Sequence, residues 1–426
     1  MRLHGYEAFF AGGWVRDTLL RRKPQDIDIA TSAPPDEVAG LFSHAIPIGA
    51  SFGVVQVRMY RRTYDVATFR SEGPYLDGRH PSTVSYTGAR QDAERRDFTI
   101  NGLFYDPIGG KVIDFIGGSA DIRKGILRTI GDPQKRFLED KLRMLRAVRL
   151  SCSLGFKIEP RTQDAIHRLA PEILNVSWER IRDELVKILT GPMPDRGLDL
   201  LHETGLLVHI LPEVEAMRGV LQPEEFHPEG DVFVHTRKAL PLLRKPSAVL
   251  VLATLLHDAG KPQTFTVADR IRFDGHVEAG ERIAEEVCRR LRMSNEEIAR
   301  IVELVRHHLR FISIKDMRPS TLKRFLRMRS FEDHLELHRV DCLASHGNLD
   351  SYVFAKKQYE ELMKGPPPPP RLITGDDLIG LGLTPGPVFR QILRMVEDFQ
   401  LENPKLTREE AMDLVRRAYT SAKSRG

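Results

Sequence analysis

Gly12-Gly13-Trp14-Val15-Arg16-Asp17, followed after a basic turn by Asp26-Ile27-Asp28-Ile29-Ala30, is the stretch whose reading decides the fold. A Gly-Gly step lets backbone N–H groups approach a phosphate, and the helix expected to start near Arg16 points its positive end at the same anion. Residues i and i+2 of a strand face one side, so Asp26 and Asp28 are expected to project together beneath the loop. Two hard carboxylates side by side suit Mg²⁺, which bridges to a triphosphate rather than needing an all-protein cage. Taken singly, Gly-Gly marks a tight turn and Asp-x-Asp a solvated strand end. Their order and spacing, together with the motifs further along the chain, carry the argument.

The 426 residues, 41% hydrophobic and 29% charged, suit a folded protein of two to four domains. Lys+Arg 64 against Asp+Glu 59 leaves a net charge of +5, and a sequence pI of about 9.0 leans toward a polyanionic partner. Cys152, Cys288 and Cys342 are far apart and in no metal-ligand spacing, which points to a reduced, cytoplasmic protein. The N-terminus has no long apolar core with a cleavage site. The longest mostly apolar run, from Ala248 to Leu256, falls short of the ~20 residues that span a bilayer, so no membrane role is expected.

Outward from the opening stretch, residues 1–125 read as a mixed α/β domain. Strand-like runs 52–57 and 63–69, separated by Arg61-Arg62, suggest a hairpin in which Asp65 shares a face with Ala67. Between Arg70 and Ala89 periodicity is lost, the mark of a functional or disordered loop. Arg95-Arg96-Asp97 offers two guanidinium forks for phosphate oxygens and a carboxylate that accepts from a ribose hydroxyl. From Phe137 the period is helical: Leu138, Leu142, Leu145 and Val148 form an expected buried stripe, with Glu139, Asp140 and Arg143 on another face. A series of imidazoles and carboxylates follows, His235, His257-Asp258, His276, His307-His308 and Asp341, mostly in helix-like sequence. Neutral imidazole suits Mn²⁺, Ni²⁺, Fe or Zn²⁺. Pro366 to Pro370 read as a stiff linker, Thr374 as a helix cap, and Lys405, Arg408, Arg416, Arg417, Lys423 and Arg425 as a basic tail.

Four ordered motifs, Gly-Gly-x-Val-Arg-Asp, Asp-Ile-Asp-Ile-Ala, Arg95-Arg96-Asp97-Phe98-Thr99-Ile100-Asn101 and Glu139-Asp140-x-x-Arg143, resemble the signature of class II tRNA nucleotidyltransferases and bacterial poly(A) polymerases. The resemblance runs from about Tyr6 to near Leu189. It implies an α+β molecule: a nucleotidyltransferase head over 1–125, a helical neck over 126–220, a third domain over 221–360, and a linker with a helical tail over 361–426. It implies that Asp26 and Asp28, with Asp65 as third carboxylate, hold Mg²⁺. It implies that Gly12, Gly13, Arg16, Arg95, Arg96, Asp97, Asn101, Glu139, Asp140, Arg143 and Arg146 bind nucleotide, with Asp97 reading the 2′-OH.

In this family the Asp140 and Arg143 pair is a protein template for the incoming base. Cytosine and adenine both offer an exocyclic amino donor beside a ring-nitrogen acceptor, which Asp plus Arg complement; guanine and uracil present the opposite pattern. The implied substrates are CTP, ATP and the 3′ end of tRNA. The implied reaction is CCA addition. The stretch Trp178-Glu179-Arg180-Ile181-Arg182-Asp183-Glu184 resembles the family's fifth motif, which supports the template helix and is assigned no catalysis.

The order His…His-Asp…Asp resembles HD-domain phosphohydrolases. It implies core ligands His235, His257, Asp258 and Asp341, second-metal positions at His276 and His308, and Ni²⁺ or Mn²⁺ as metal. Three other readings stay open at this stage. An A-adding enzyme keeps the loop after Arg70. A poly(A) polymerase typically carries a Gly, two basic residues and an aromatic where this chain has Ile48-Gly49-Ala50-Ser51-Phe52. An HD phosphohydrolase with a non-catalytic RNA-binding N-terminal half is opposed by the intact Asp26 and Asp28.

Overall fold

The structure, a computed structural model, describes every residue except 25, 49–52, 74–81, 226, 229, 368–369, 404 and 424–426, and only the backbone of 419–423. Most of the 48–52 stretch, much of the segment after Arg70, part of the proline run, Arg425 and the Lys423 side chain therefore lie outside the described residues.

The head begins with β1 (Ala8–Ala11), α1 (Gly13–Leu19), β2 (Asp28–Thr31), α2 (Pro35–Leu41), β3 (Ala45–Pro47), β4 (Val54–Met59) and β5 (Arg62–Thr68). A two-stranded ribbon of β6 (Arg70–Glu72) and β7 (Val84–Tyr86) follows, then α3 (Ala89–Glu94), β8 (Phe104–Asp106) and β9 (Lys111–Ile113). The main sheet has seven strands in the order β3-β4-β5-β2-β1-β8-β9. Only the β2–β5 pair within it is parallel among the described residues, and its register sets Asp28 opposite Asp65 and Ala30 opposite Ala67.

Alternation then sorts side chains between the two faces. Val55, Val57 and Val66 bury against Val38 of α2 on one. Phe9, Phe69 and Phe104 pack on the other, with ring centroids 5.8 to 6.1 Å apart. Asp28, at the start of β2, and Asp65, mid-way along β5, share the face of Ala30 and Ala67 and are exposed to solvent. The β4–β5 hairpin turns one residue earlier than expected. Tyr60 and Arg61 have φ of 49° and 63°, the left-handed pair that a two-residue turn of this hand requires, and Arg62 already belongs to β5.

The neck comprises α4 (Gly118–Lys124), α5 (Pro133–Glu139), α6 (Arg143–Leu154), α7 (Pro160–Leu169), α8 (Trp178–Leu189), α9 (Pro194–Glu203), α10 (Leu207–Ile210) and α11 (Pro212–Glu215). The expected continuous helix from Phe137 is broken. Asp140 is extended (φ −140°, ψ 106°), ending α5 and resetting the helical phase before α6. Leu142, Leu145 and Val148 are buried as the period requires, but Leu138, on the far side of the break, is 48% exposed.

The third part holds α12 (Val232–Ala239), α13 (Ala248–Leu256), α14 (Lys261–Thr264), α15 (His276–Arg290), α16 (Asn295–His307), α17 (Pro319–Leu326), α18 (Phe331–Ala344) and α19 (Asp350–Lys364). α13 is apolar on nearly all sides because its neighbours enclose it; it packs on α16, α18, α12, α15 and α8. The tail has α20 (Gly375–Gly380), capped by Thr374 and Asp377 in a reciprocal box, then α21 (Pro387–Glu402) and α22 (Arg408–Lys423).

One hydrophobic core runs from Val15 and Phe98 in the head through Leu145 and Leu185 to Leu252 and Val305, whereas the tail has its own around Ile373, Leu378, Ile392 and Val396. All three cysteines are free and buried. No helix among the described residues is long and apolar enough to cross a membrane.

Candidate active site and metal centre

Gly12 ends β1 with φ +63°, and a Cβ there would lie 2.9 Å from Nη1 of Arg96 and 3.9 Å from Oδ2 of Asp28. Strain and collision both require glycine at this point. The turn therefore brings bare backbone against a guanidinium and a carboxylate. The helix behind it starts at Gly13, three residues before Arg16. Arg16 is oriented by its neighbours: Nε donates to Asp17 at 2.8 Å and Nη1 to Asn101 Oδ1 at 2.7 Å.

Asp28 begins β2, and Asp65 across the ladder accepts from Gln56 Nε2 at 3.1 Å. Desolvation raises the Asp28 carboxyl, Arg96 opposes that rise, and the negative charges of Asp65 and Asp26 add to it. Asp26 stands before the strand, so the ladder does not impose the alternation expected of an Asp26–Asp28 pair. Their oxygens, with those of Asp65, are not drawn together as tightly as the histidine sets at the end of α13. The donor set nevertheless fits Mg²⁺, because the charges of Asp65 and Asp26 add to the rise of the Asp28 carboxyl and a divalent cation relieves that repulsion.

Arg95 and Arg96 lie close together, both tied to Asp92, which is buried on α3. Arg95 Nη2 is 2.7 Å from Asp92 Oδ1, Arg96 Nη2 is 3.0 Å from Oδ2, and Arg95 Nη1 also meets Glu72 at 2.9 Å. Burial works against the Asp92 charge, but Arg96 and Arg95 outweigh it and hold the carboxyl below its usual range. Arg95 thus has both ends engaged by carboxylates. Arg96 keeps one edge beside Gly12 and lies 5.2 Å from the centre of the Phe104 ring.

Asp97 is the centre of a longer chain of bonds. Its Oδ2 accepts from Arg146 Nη2 at 2.6 Å and Nε at 3.1 Å; its Oδ1 accepts from Phe98 N and from Asn101 Nδ2 at 3.0 Å. Asn101 in turn accepts from Arg16, so the glycine loop, the third motif and α6 form one connected network.

Across the α5–α6 break, Arg143 N donates to Asp140 O at 3.1 Å, while their side chains reach different partners. Arg143 Nη1 donates to Glu139 Oε2 at 2.6 Å, and Glu139 also meets Arg136 at 3.0 Å. Asp140 Oδ2 accepts from Arg180 Nη2 of α8 at 3.0 Å, while its Oδ1 accepts from Leu142 N at 3.1 Å. Two polar groups one turn apart in sequence are thereby held independently, each with its own partner.

The second constellation lies around the end of α13. His257, Asp258 and Gly260 form a turn that approaches α15 so closely that a Cβ on Gly260 would overlap the His276 carbonyl oxygen and lie 2.6 Å from Gly280 N. Nδ1 of His257, His276 and His308 each face a backbone carbonyl, of Thr254, Phe273 and Val305, at 2.8, 2.8 and 2.6 Å. A carbonyl only accepts, so Nδ1 carries the proton and each Nε2 presents a lone pair. Burial pushes His308 down to about 4 and lowers His276, which favours the neutral ring at both.

Two compact sets result, His235 with His257 and Asp258, and Asp258 with His276 and His308, the ligand atoms of each lying within 4.8 Å of one another. Asp258 is common to both. Asp341 lies 3.0 Å from His235 Nε2 and 3.9 Å from His257 Nε2, beside the first set but outside either compact group. Orphaned Nε2 atoms on His257, His276 and His308, with a carboxylate between them, fit a transition metal better than they fit any hydrogen bond available there. A cavity of about 960 Å³ opens onto Asp258, His276, His308 and Asp341.

Sequence reasoning gave no role to Asp92, Lys261 or Glu72 and named Arg180 only within the motif that supports the template helix. Asp92 and Lys261 had readable signals, the i+3 and i+4 spacing of Asp92 to Arg95 and Arg96 and the i+3 spacing of Asp258 to Lys261. Lys261 Nζ is 2.7 Å from Asp258 and 2.6 Å from Gln222. Arg180 and Glu72 reach their partners across 40 and 23 residues, and nothing local announces them.

Residues 8–128 match the family model of the poly A polymerase head domain, 155–218 that of a probable RNA and SrmB binding site of polymerase A, and 232–341 that of the HD domain. The CCA-adding enzyme of Geobacillus stearothermophilus is 44% identical over 211 residues, 49% of this chain and 52% of that protein. The chain thus matches the curated relatives over about half their length. Among solved structures, a Bacillus stearothermophilus CCA-adding enzyme in complex with CTP is 28% identical with a TM-score of 0.71, covering 99% of this chain and 96% of that one. A Thermotoga maritima CCA-adding enzyme complexed with tRNA-CCA shares the fold, at 19% identity, a TM-score of 0.58, and coverage of 99% and 92%.

Proposed function

We propose that this chain, which matches the poly A polymerase head domain and HD domain models and resembles CCA-adding enzymes, adds CMP and AMP, from CTP and ATP, to the 3′ end of tRNA in the cytoplasm. The observation that carries the reading is the parallel β2–β5 register, which puts Asp28 beside Asp65 directly under the Gly12 turn and Arg96.

Asp26, Asp28 and Asp65 would hold Mg²⁺, which when bound supplies charge for the triphosphate and acidifies the primer hydroxyl. The remaining steps belong to the chain's own groups. Gly12, whose own N–H donates to Leu103 O at 3.0 Å, lets the backbone pass close to the triphosphate, Gly13 offers its N–H, and Arg16 and Arg96 neutralise the oxygens. Asp97, held in place by Arg146 and Asn101, faces the ribose; Arg95, spent on two carboxylates, orients Asp92 and hence Arg96. Asp140 accepts the exocyclic amine of cytosine or adenine while Arg143 donates to the ring nitrogen. Glu139 and Arg180 hold those two readers in register before a base arrives, which lowers the ordering cost of reading it.

A second activity is favoured by the two histidine sets that share Asp258 at the mouth of a cavity. His235, His257, Asp258, His276 and His308, with Asp341 alongside, would hold Ni²⁺ or Mn²⁺ for phosphoester hydrolysis, the metal supplying Lewis acidity when bound. Lys261 adds a fixed positive charge at the same carboxylate.

The polymerase reading is tested with labelled CTP and ATP on tRNA primers ending before CCA and after CC. Wild type extends both, and Asp26→Ala or Asp28→Ala extends neither while still binding tRNA. Undiminished incorporation by either variant sinks the carboxylate assignment, and extension of the CC-ended primer alone makes this an A-adding enzyme.

A further inference from the structure

Between α17 and α21 lies a crevice of about 360 Å³ whose floor includes Ile373 and Val396 and whose rim carries Arg324, Arg371, Arg390 and Arg394. Arg310, from the segment after α16, joins this group. Its guanidinium sits 4.6 Å from the centre of the Phe325 ring, and burial together with repulsion from Arg394 and Arg324 loosens its hold on its proton. Acidic compensation is narrow: Glu397 and Asp398 both face Arg324. Arg371, Arg390 and Arg394 have no carboxylate at ion-pair distance among the described residues. The last two lie four residues apart on α21 and so point the same way.

The walls do not depend on these charges. Gln400 Nε2 donates to Pro370 O and Lys323 Nζ to Leu401 O, both at 2.8 Å, and Arg408 Nη1 donates to Leu372 O at 3.1 Å. The seam between α17 and α21 therefore holds several guanidinium groups against one another over an apolar floor. An anion in the crevice relieves that repulsion, and planar guanidinium forks match the paired oxygens of a phosphate.

We propose that this crevice binds a phosphate group, carried by an RNA backbone or free in solution, at a site distinct from the nucleotide seat in the head. Its RNA form rests on the reading of tRNA as substrate; its free-phosphate form does not.

The test uses the full chain and the double variant Arg390→Gln/Arg394→Gln. Both side chains are exposed, and circular dichroism and a thermal melt verify the fold. Binding of labelled tRNA is followed by anisotropy from 50 to 300 mM salt, and inorganic phosphate and pyrophosphate are titrated calorimetrically. If the occupant is an RNA phosphate, the variant binds tRNA roughly 5–10-fold more weakly, and its salt slope falls by about 0.7–0.9 for each phosphate no longer neutralised. Incorporation at saturating tRNA stays at the wild-type rate.

If the occupant is free phosphate, tRNA affinity is unchanged and the phosphate or pyrophosphate heat is lost in the variant. A variant that equals wild type in both titrations overturns the proposal. A wild type whose tRNA binding depends on the crevice but which incorporates no nucleotide refutes the polymerase reading and leaves the crevice standing.

Discussion

Burial alone would raise the Asp97 carboxyl, but Arg146 and Asn101 outweigh it and hold the group down at about 2. A carboxyl depressed in the folded state and ordinary in the unfolded one stabilises the protein above the unfolded value and loses that contribution as pH falls toward the folded one. The side chain is only 10% exposed, so solvent screening removes little of it. We therefore expect Asp97→Asn to be less stable than wild type by about 2 kcal/mol at pH 7, with the gap shrinking to about half by pH 3. Urea unfolding of both proteins from pH 7 to pH 3 measures this; a gap that does not change with pH would assign the loss to packing. The same residue faces the proposed ribose, so its charge serves stability and recognition at once.

At the scale of elements, the turn after α13 lies so close to α15 that Gly260 leaves no room for a side chain. Gly260→Ala should push α15 away and carry His276 with it. The expected result is a loss of about 1–3 kcal/mol in thermal or urea unfolding and loss of bound transition metal, with nucleotide addition retained. Full metal occupancy in a folded Gly260→Ala protein would show that the two elements can slide apart without harm.

Such close approaches explain what was legible beforehand. The glycine turn, the Asp28 strand, the third motif and the HD ligands lie on short local patterns, and the fold class followed from their order. The α5–α6 break was hidden because Leu138, Leu142, Leu145 and Val148 keep helical spacing straight through it. Arg180 was set aside as a supporting residue, since its partner Asp140 lies on a different helix and sequence separation conceals such a pair. Asp26 looked equivalent to Asp28 by spacing, yet only Asp28 is held in the ladder.

At the scale of the whole molecule, the proposed head site offers carboxylate oxygens and the proposed HD site mainly imidazoles, so the two are expected to fail separately. Asp258→Ala removes the one carboxylate common to both histidine sets. It should abolish hydrolysis of a 2′,3′-cyclic nucleotide supplied with Ni²⁺ or Mn²⁺ while leaving tRNA extension within about twofold of wild type. Parallel loss of both activities in a folded variant would show that the two centres are coupled.

The bond from Asp97 to Arg146 sets a different kind of boundary. The stretch matching the head model ends at residue 128, but the guanidinium that balances its buried carboxylate sits eighteen positions further on, in α6, beyond α5. A recombination event that transplanted only the recognisable segment would deliver a charge without its counterion. Residues 8–128 and α6 therefore share one ion pair, and neither holds its charge balanced without the other.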